Sequence, residues 1–188
     1  MIRYFLAAGC AAIAFPVSAA SFVSQQYTTA YDYPDSGTEY ASASFTPATF
    51  MVGSGVETVG DVEGVTSIGI DFTADTLTVS LSTILSNPTW TSAAFNGPIF
   101  TSPSAVPFTH VALGARTNLP GFDLSRVLLS NHQIGINWNG LTYTNGSMVE
   151  LIFSGAVPEP ASWAMMLTGF GAIGGAARMR RRPLTFAG

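Results

Sequence analysis

Between residues 21 and 157 the chain alternates apolar and polar side chains in short runs, and no stretch sustains a helical period. Tyr40–Phe45, Val65–Phe72 and Leu77–Leu81 alternate with period two, as strands with one buried face do. Val111–Leu113, Val127–Leu129, Ile134–Trp138 and Val149–Phe153 predict further short strands. Turn residues separate these runs at roughly the 8–12-residue spacing of sandwiches and barrels. Thr73-Ala74-Asp75-Thr76 is predicted to turn between two of the strands. The fold class expected is all-β: an antiparallel, jelly-roll-like β-sandwich over residues 21–157.

Two Asn-Gly pairs punctuate the end of this body. Asn139-Gly140 lies between Ile134–Trp138 and Leu141-Thr142-Tyr143, the pattern of a type I′ hairpin, with Trp138 opposite Leu141 and Ile136 opposite Tyr143. Asn145-Gly146 is expected to form a three-residue loop with Gly146 left-handed, which places Val149 opposite Leu141. Residues 86–108 read differently. Pro88, Pro98, Pro103 and Pro107 argue against a central strand. The stretch reads as a long loop or edge insertion studded with Trp90, Phe95 and Phe100. Such a loop either lids one end of the body or presents its rings to a ligand.

Both ends depart from the body. Arg3, an apolar run from Tyr4 to Val17, and the small residues Ser18-Ala19-Ala20 form the three parts of a secretory signal peptide, residues 1–20. Cleavage after Ala19 or Ala20 removes Cys10, the sole cysteine, and with it any disulfide, thiol chemistry or Cys-based metal site. At the other end, residues 161–177 carry no charge and are closed by Arg178, Arg180, Arg181 and Arg182. A helix of this run would measure ~25 Å, slightly short of the ~30 Å hydrocarbon core. It predicts a transmembrane helix with the arginines cytoplasmic and the body outside.

Charge sharpens this picture. The chain has no lysine, and only Arg116 and Arg126 face eleven Asp and Glu between residues 21 and 160, a net of −9. Nucleic-acid binding, which needs clustered cations, is excluded as an expectation. Catalytic signatures are scarce. His110 and His132 are the only histidines, and no HExxH, GxSxG or phosphate-cradling glycine loop is present. Eight of the eleven carboxylates fall into three groups: Asp32, Asp35 and Glu39; Glu57, Asp61 and Glu63; Asp71 and Asp75. Turn capping accounts for them more simply than paired-acid catalysis or a calcium site. No enzyme activity, metal or cofactor is expected.

The residues joining body and apolar run complete a motif. Pro158-Glu159-Pro160, then Trp163-Ala164, the apolar run and the arginines strongly resemble the PEP-CTERM protein-sorting signal in its PEPxxWA variety, residues 158–188. The resemblance implies a Gram-negative bacterial substrate of an exosortase, a membrane-embedded cysteine protease. It also implies signal peptidase and the secretion machinery as partners, a transient inner-membrane anchor, and delivery to the cell surface or exopolysaccharide matrix of a biofilm. Two prolines hold the chain extended, as a protease site requires. The first expectation for the body is therefore a structural surface or matrix protein. The alternative is a carbohydrate-binding module with exposed Trp90, Phe95, Phe100, Tyr31 or Tyr33 as glycan contacts. A small secreted hydrolase ranks third.

Overall fold

The computed structural model describes residues 20–155, residue 166 and residues 168–175. The chain divides into two compact units, Met1–Ser154 and Gly155–Gly188. In the second, residues 168–175 are helical, with Phe170 and Ile173 exposed. Among the described residues no helix is long and apolar enough to cross a membrane. The ends of the expected 161–177 span, and all but Ala20 of the expected signal peptide, lie outside the described residues.

Among the described residues the first unit holds eleven strands in two antiparallel sheets. In chain order they are β1 (Gln26–Asp32), β2 (Ala43–Thr46), β3 (Thr49–Met51), β4 (Val56–Val62), β5 (Thr66–Phe72) and β6 (Thr76–Thr83). Then follow β7 (Gly97–Thr101), β8 (His110–Leu113), β9 (Val127–Leu129), β10 (Gln133–Ile136) and β11 (Met148–Ser154). One sheet runs β3-β1-β7-β10-β9 and the other β2-β4-β5-β6-β11-β8. The clearest alternation in the sequence, over β5, becomes a strict in–out pattern, with Thr66, Ile68, Ile70 and Phe72 buried. The expected turn after it is present: the Thr73 N–H donates to the Thr76 carbonyl at 2.8 Å.

Rings from the two sheets meet in one core. Tyr27 of β1 stacks on Phe72 of β5, with centroids 5.1 Å apart and planes at 11°. Phe100 of β7 meets the same Phe72 edge-on at 5.4 Å. Phe22, ahead of β1, is fully buried and packs against Phe72, Phe108 and Phe153. Each such buried ring contributes roughly 1.5–3 kcal/mol of transfer free energy.

Three sequence expectations are corrected. Residues 97–101 are no insertion: β7 lies in the middle of its sheet, between β1 and β10. Pro98 stands opposite Tyr31 in the β1 ladder and lies one residue beyond Ile99–Gly135, the last pair of the β10 ladder. Second, Asn139-Gly140 does turn, with Leu141 N–H donating to the Trp138 carbonyl at 3.0 Å, but no hairpin follows. Only Gly140 has positive φ (69°), whereas a type I′ turn needs two such residues. β10 pairs with β7 and β9, and β11 with β6 and β8 in the other sheet, so residues 137–147 cross between sheets. Third, Gly146 is left-handed as expected (φ 86°), yet Val149 pairs with Val79 rather than Leu141.

Candidate functional site

The aromatic stretch after β6 folds inward. Pro88, Trp90 and residues 140–143 form a short ladder: Trp90 N–H donates to the Leu141 carbonyl (2.9 Å) and Tyr143 N–H to the Pro88 carbonyl (3.0 Å). Trp90 then stacks on Tyr143 (4.5 Å, 12°) and on Trp138 (5.1 Å, 19°). Trp90 and Phe95 are each 7% exposed and Phe100 is fully buried. The expectation of these three rings as glycan contacts is therefore corrected: packing on the core hides the flat faces that stacking on a sugar requires. Tyr31, 2% exposed, is lost to the surface in the same way.

What this inward packing leaves open is a cleft of about 170 Å³. Three segments bring its residues together: the end of β1 with Tyr33, the turn leading to β2 with Tyr40, and the end of β4 with Glu63. The rings of Tyr33 and Tyr40 meet at 5.4 Å and 71°, forming a corner, and both are partly exposed. The Tyr40 hydroxyl donates to Glu63 Oε1. Trp90, Asn96 and Tyr143 contribute to the inner wall.

Beneath the cleft runs a fully satisfied polar relay. Trp138 Nε1–H donates to the Tyr31 hydroxyl at 2.8 Å, and that hydroxyl donates to Asn96 Oδ1 at 2.6 Å. Asn96 Nδ2–H in turn donates to the Thr91 carbonyl at 2.9 Å. Tyr143 and Thr66 share a hydrogen bond of 2.7 Å. Burial pushes the phenols of Tyr31 and Tyr143 above their ordinary range, and the bond to Glu63 raises that of Tyr40.

The other candidate residues stand apart. Asp32 accepts the Gly37 N–H (2.7 Å), Asp61 the Gly64 N–H (3.1 Å), and Glu57 the N–H groups of Gly53 and Phe72 (3.1 and 2.7 Å). These are turn and strand-end caps. Among the described residues no group of three or more His, Cys, Asp or Glu is placed to hold a metal ion. His110 bonds to the Thr109 hydroxyl, and His132 Nδ1 lies 3.2 Å from the Ser102 carbonyl, to which it donates. Pro158, Glu159, Pro160, Trp163, Ala164 and the arginines Arg178, Arg180, Arg181 and Arg182 lie outside the described residues. Sequence reasoning picked out Tyr33 and grouped Glu63 with Glu57 and Asp61 as turn-capping carboxylates, but it did not single out Tyr40 or Asn96. They come from distant segments with no spacing signal, and only the fold assembles them.

Comparison with known proteins bears on the C-terminal end alone. Residues 156–182 match the family model described as the PEP-CTERM protein-sorting motif. No curated protein and no solved structure matches the chain.

Proposed function

We propose, from the premise that this chain carries a PEP-CTERM sorting motif, that it is a non-enzymatic structural protein of a Gram-negative bacterium's surface or exopolysaccharide matrix. The motif makes the chain an exported substrate of an exosortase, anchored transiently in the membrane before processing. The observation that carries the reading is the match over residues 156–182, which begins two residues after β11 ends at Ser154. Sorting signal thus follows directly on folded body. We read the two sheets as a β-sandwich whose role is to persist outside the cell. A shared aromatic core and turn-capping carboxylates support that role. A carbohydrate-binding role survives only on rings other than Trp90, Phe95 and Phe100.

Processing tests the reading. In a host with its exosortase, the surface-released protein should lose the residues after Pro158–Pro160, read by intact mass. In a strain lacking the exosortase, or with Pro158→Ala and Pro160→Ala together, the full C-terminal end should remain in the membrane fraction. A released form ending at Gly188 overturns the proposal.

A further inference from the structure

The cleft at Tyr33, Tyr40 and Glu63 is solvent-open, sits on a rigid aromatic floor and keeps several polar groups unused. Glu63 takes the Tyr40 hydroxyl on Oε1, which leaves Oε2 free to accept. Among the described residues the hydroxyls of Tyr33 and Thr91 make no hydrogen bond. The indole nitrogen of Trp90, a side chain 93% buried on the cleft wall, is itself enclosed and has no partner among the described residues. Donors, one anionic acceptor and an apolar corner of two tyrosine rings suit a molecule with hydroxyls around its rim and C–H faces above and below. We propose that this cleft binds a glycan unit of an uncharged polysaccharide.

Charge selects the class. Glu63 is the one carboxyl side chain lining the cleft, and no cation among the described residues lines it. Arg116 is paired with Glu150 (2.6 Å), and Arg126 is bound to the carbonyls of Asn137 and Asn139 (3.3 and 3.0 Å). Uronic acids and phosphorylated sugars would meet a carboxylate with nothing to neutralise them. A quaternary ammonium needs ring faces around it. Here the Trp90 ring is taken up by stacking on Trp138 and Tyr143, and Tyr31 is 2% exposed, so only Tyr33 and Tyr40 remain. The inference is independent of sorting, which is read at the other end of the chain.

The test uses the full-length protein in a polyoxyethylene detergent, which carries neither sugar nor charge. Tryptophan fluorescence titrations compare neutral gluco-, manno-, xylo- and galacto-oligosaccharides with oligogalacturonates and tetramethylammonium. Saturable binding of at least one neutral oligosaccharide is expected, with neither charged probe matching it. Glu63→Gln and Tyr33→Ala should each weaken it about tenfold, the loss of a charge-assisted hydrogen bond or a stacking face. Tyr33→Phe keeps the ring against Tyr40 and should lose less than Tyr33→Ala, which guards against a folding artefact. The melting temperature of Glu63→Gln and Tyr33→Phe should stay near wild type. No saturable binding to any neutral oligosaccharide overturns the proposal. So does equal binding of oligogalacturonate or tetramethylammonium, or binding unchanged in both Glu63→Gln and Tyr33→Ala.

Discussion

Trp138 and Tyr31 are bound to each other deep in the fold: the indole N–H of one donates to the hydroxyl of the other at 2.8 Å. They lie 107 positions apart in the chain. Trp138 follows β10 and Tyr31 belongs to β1, two strands separated in their sheet by β7. Tyr31→Phe removes the acceptor for Trp138 and the donor for Asn96 while keeping the ring. Two buried polar groups are then orphaned, at about 1–3 kcal/mol each. A fall in the urea midpoint corresponding to about 2–6 kcal/mol is expected. A change under about 0.5 kcal/mol would show the relay to be energetically idle.

Trp90→Ala separates packing from surface. The ring stacks on Trp138 and Tyr143 and is 7% exposed, so its removal opens a cavity. The expected cost is ~3–5 kcal/mol, seen as a large drop in thermal midpoint. A midpoint equal to wild type would mean the ring does not lie where the structure puts it.

Gly97 and Gly53 form a matched pair. A Cβ at Gly97 would stand 1.9 Å from the Ile136 carbonyl oxygen, a backbone atom of the neighbouring strand that cannot swing aside. Gly97→Ala should cost about 3 kcal/mol, the upper part of the overpacking range. A Cβ at Gly53 meets nothing within 4 Å. Gly53→Ala should therefore leave stability within about 0.5 kcal/mol of wild type. Equal effects of the two would contradict the central placement of β7.

Stability should depend on acid through Glu150. The Arg116 backbone N–H, then its guanidinium, hold this carboxyl below its ordinary value of 4.5. Because folding lowers the pKa, the stabilising contribution is present above about pH 4.5 and is lost as pH falls through the folded value. The wild-type urea midpoint should decline on acidification below pH 4.5. In Glu150→Gln the midpoint should start lower at neutral pH and decline less steeply. Parallel declines in the two proteins would show that the Arg116 pair does not stabilise the fold.

The legible strands were those whose inward side chains are more apolar than their outward ones, as with Thr66, Ile68, Ile70 and Phe72 on β5. β4 inverts the signal. It buries Thr58, Gly60 and Val62 and exposes Val56 and Val59, after a register shift between Val56 and Thr58. β1 buries Thr29 between Tyr27 and Tyr31, so polarity there does not mark the outer face. β7 was concealed by Pro98, which stands opposite Tyr31 within the ladder to β1 and one residue beyond the ladder to β10. In the Asn139-Gly140 stretch, burial of Ile136, Trp138, Leu141 and Tyr143 matched the expected apolar face. Pairing did not, because both sheets compete for those side chains. The sorting motif was legible since its residues are contiguous. The tyrosine cleft was not, since Tyr33, Tyr40 and Glu63 meet only after β1, β2 and β4 are in place.

The contact between Phe22 and Phe153, centroids 5.0 Å apart, ties the opening of the described body to its final strand. β11 also stands between β6 and β8, so β8 has no other route into its sheet. A chain threading outward from its N-terminal side would expose Phe22 early and complete its ring contacts, after Phe72 and Phe108, only when Phe153 emerges. Closure of the fold would thus be the final event of export. Every secretion intermediate stalled ahead of residue 148 would lack the Phe153 side of that ring cluster and carry an unfinished sheet edge at β6, open to proteolysis and to mispairing with a neighbouring chain.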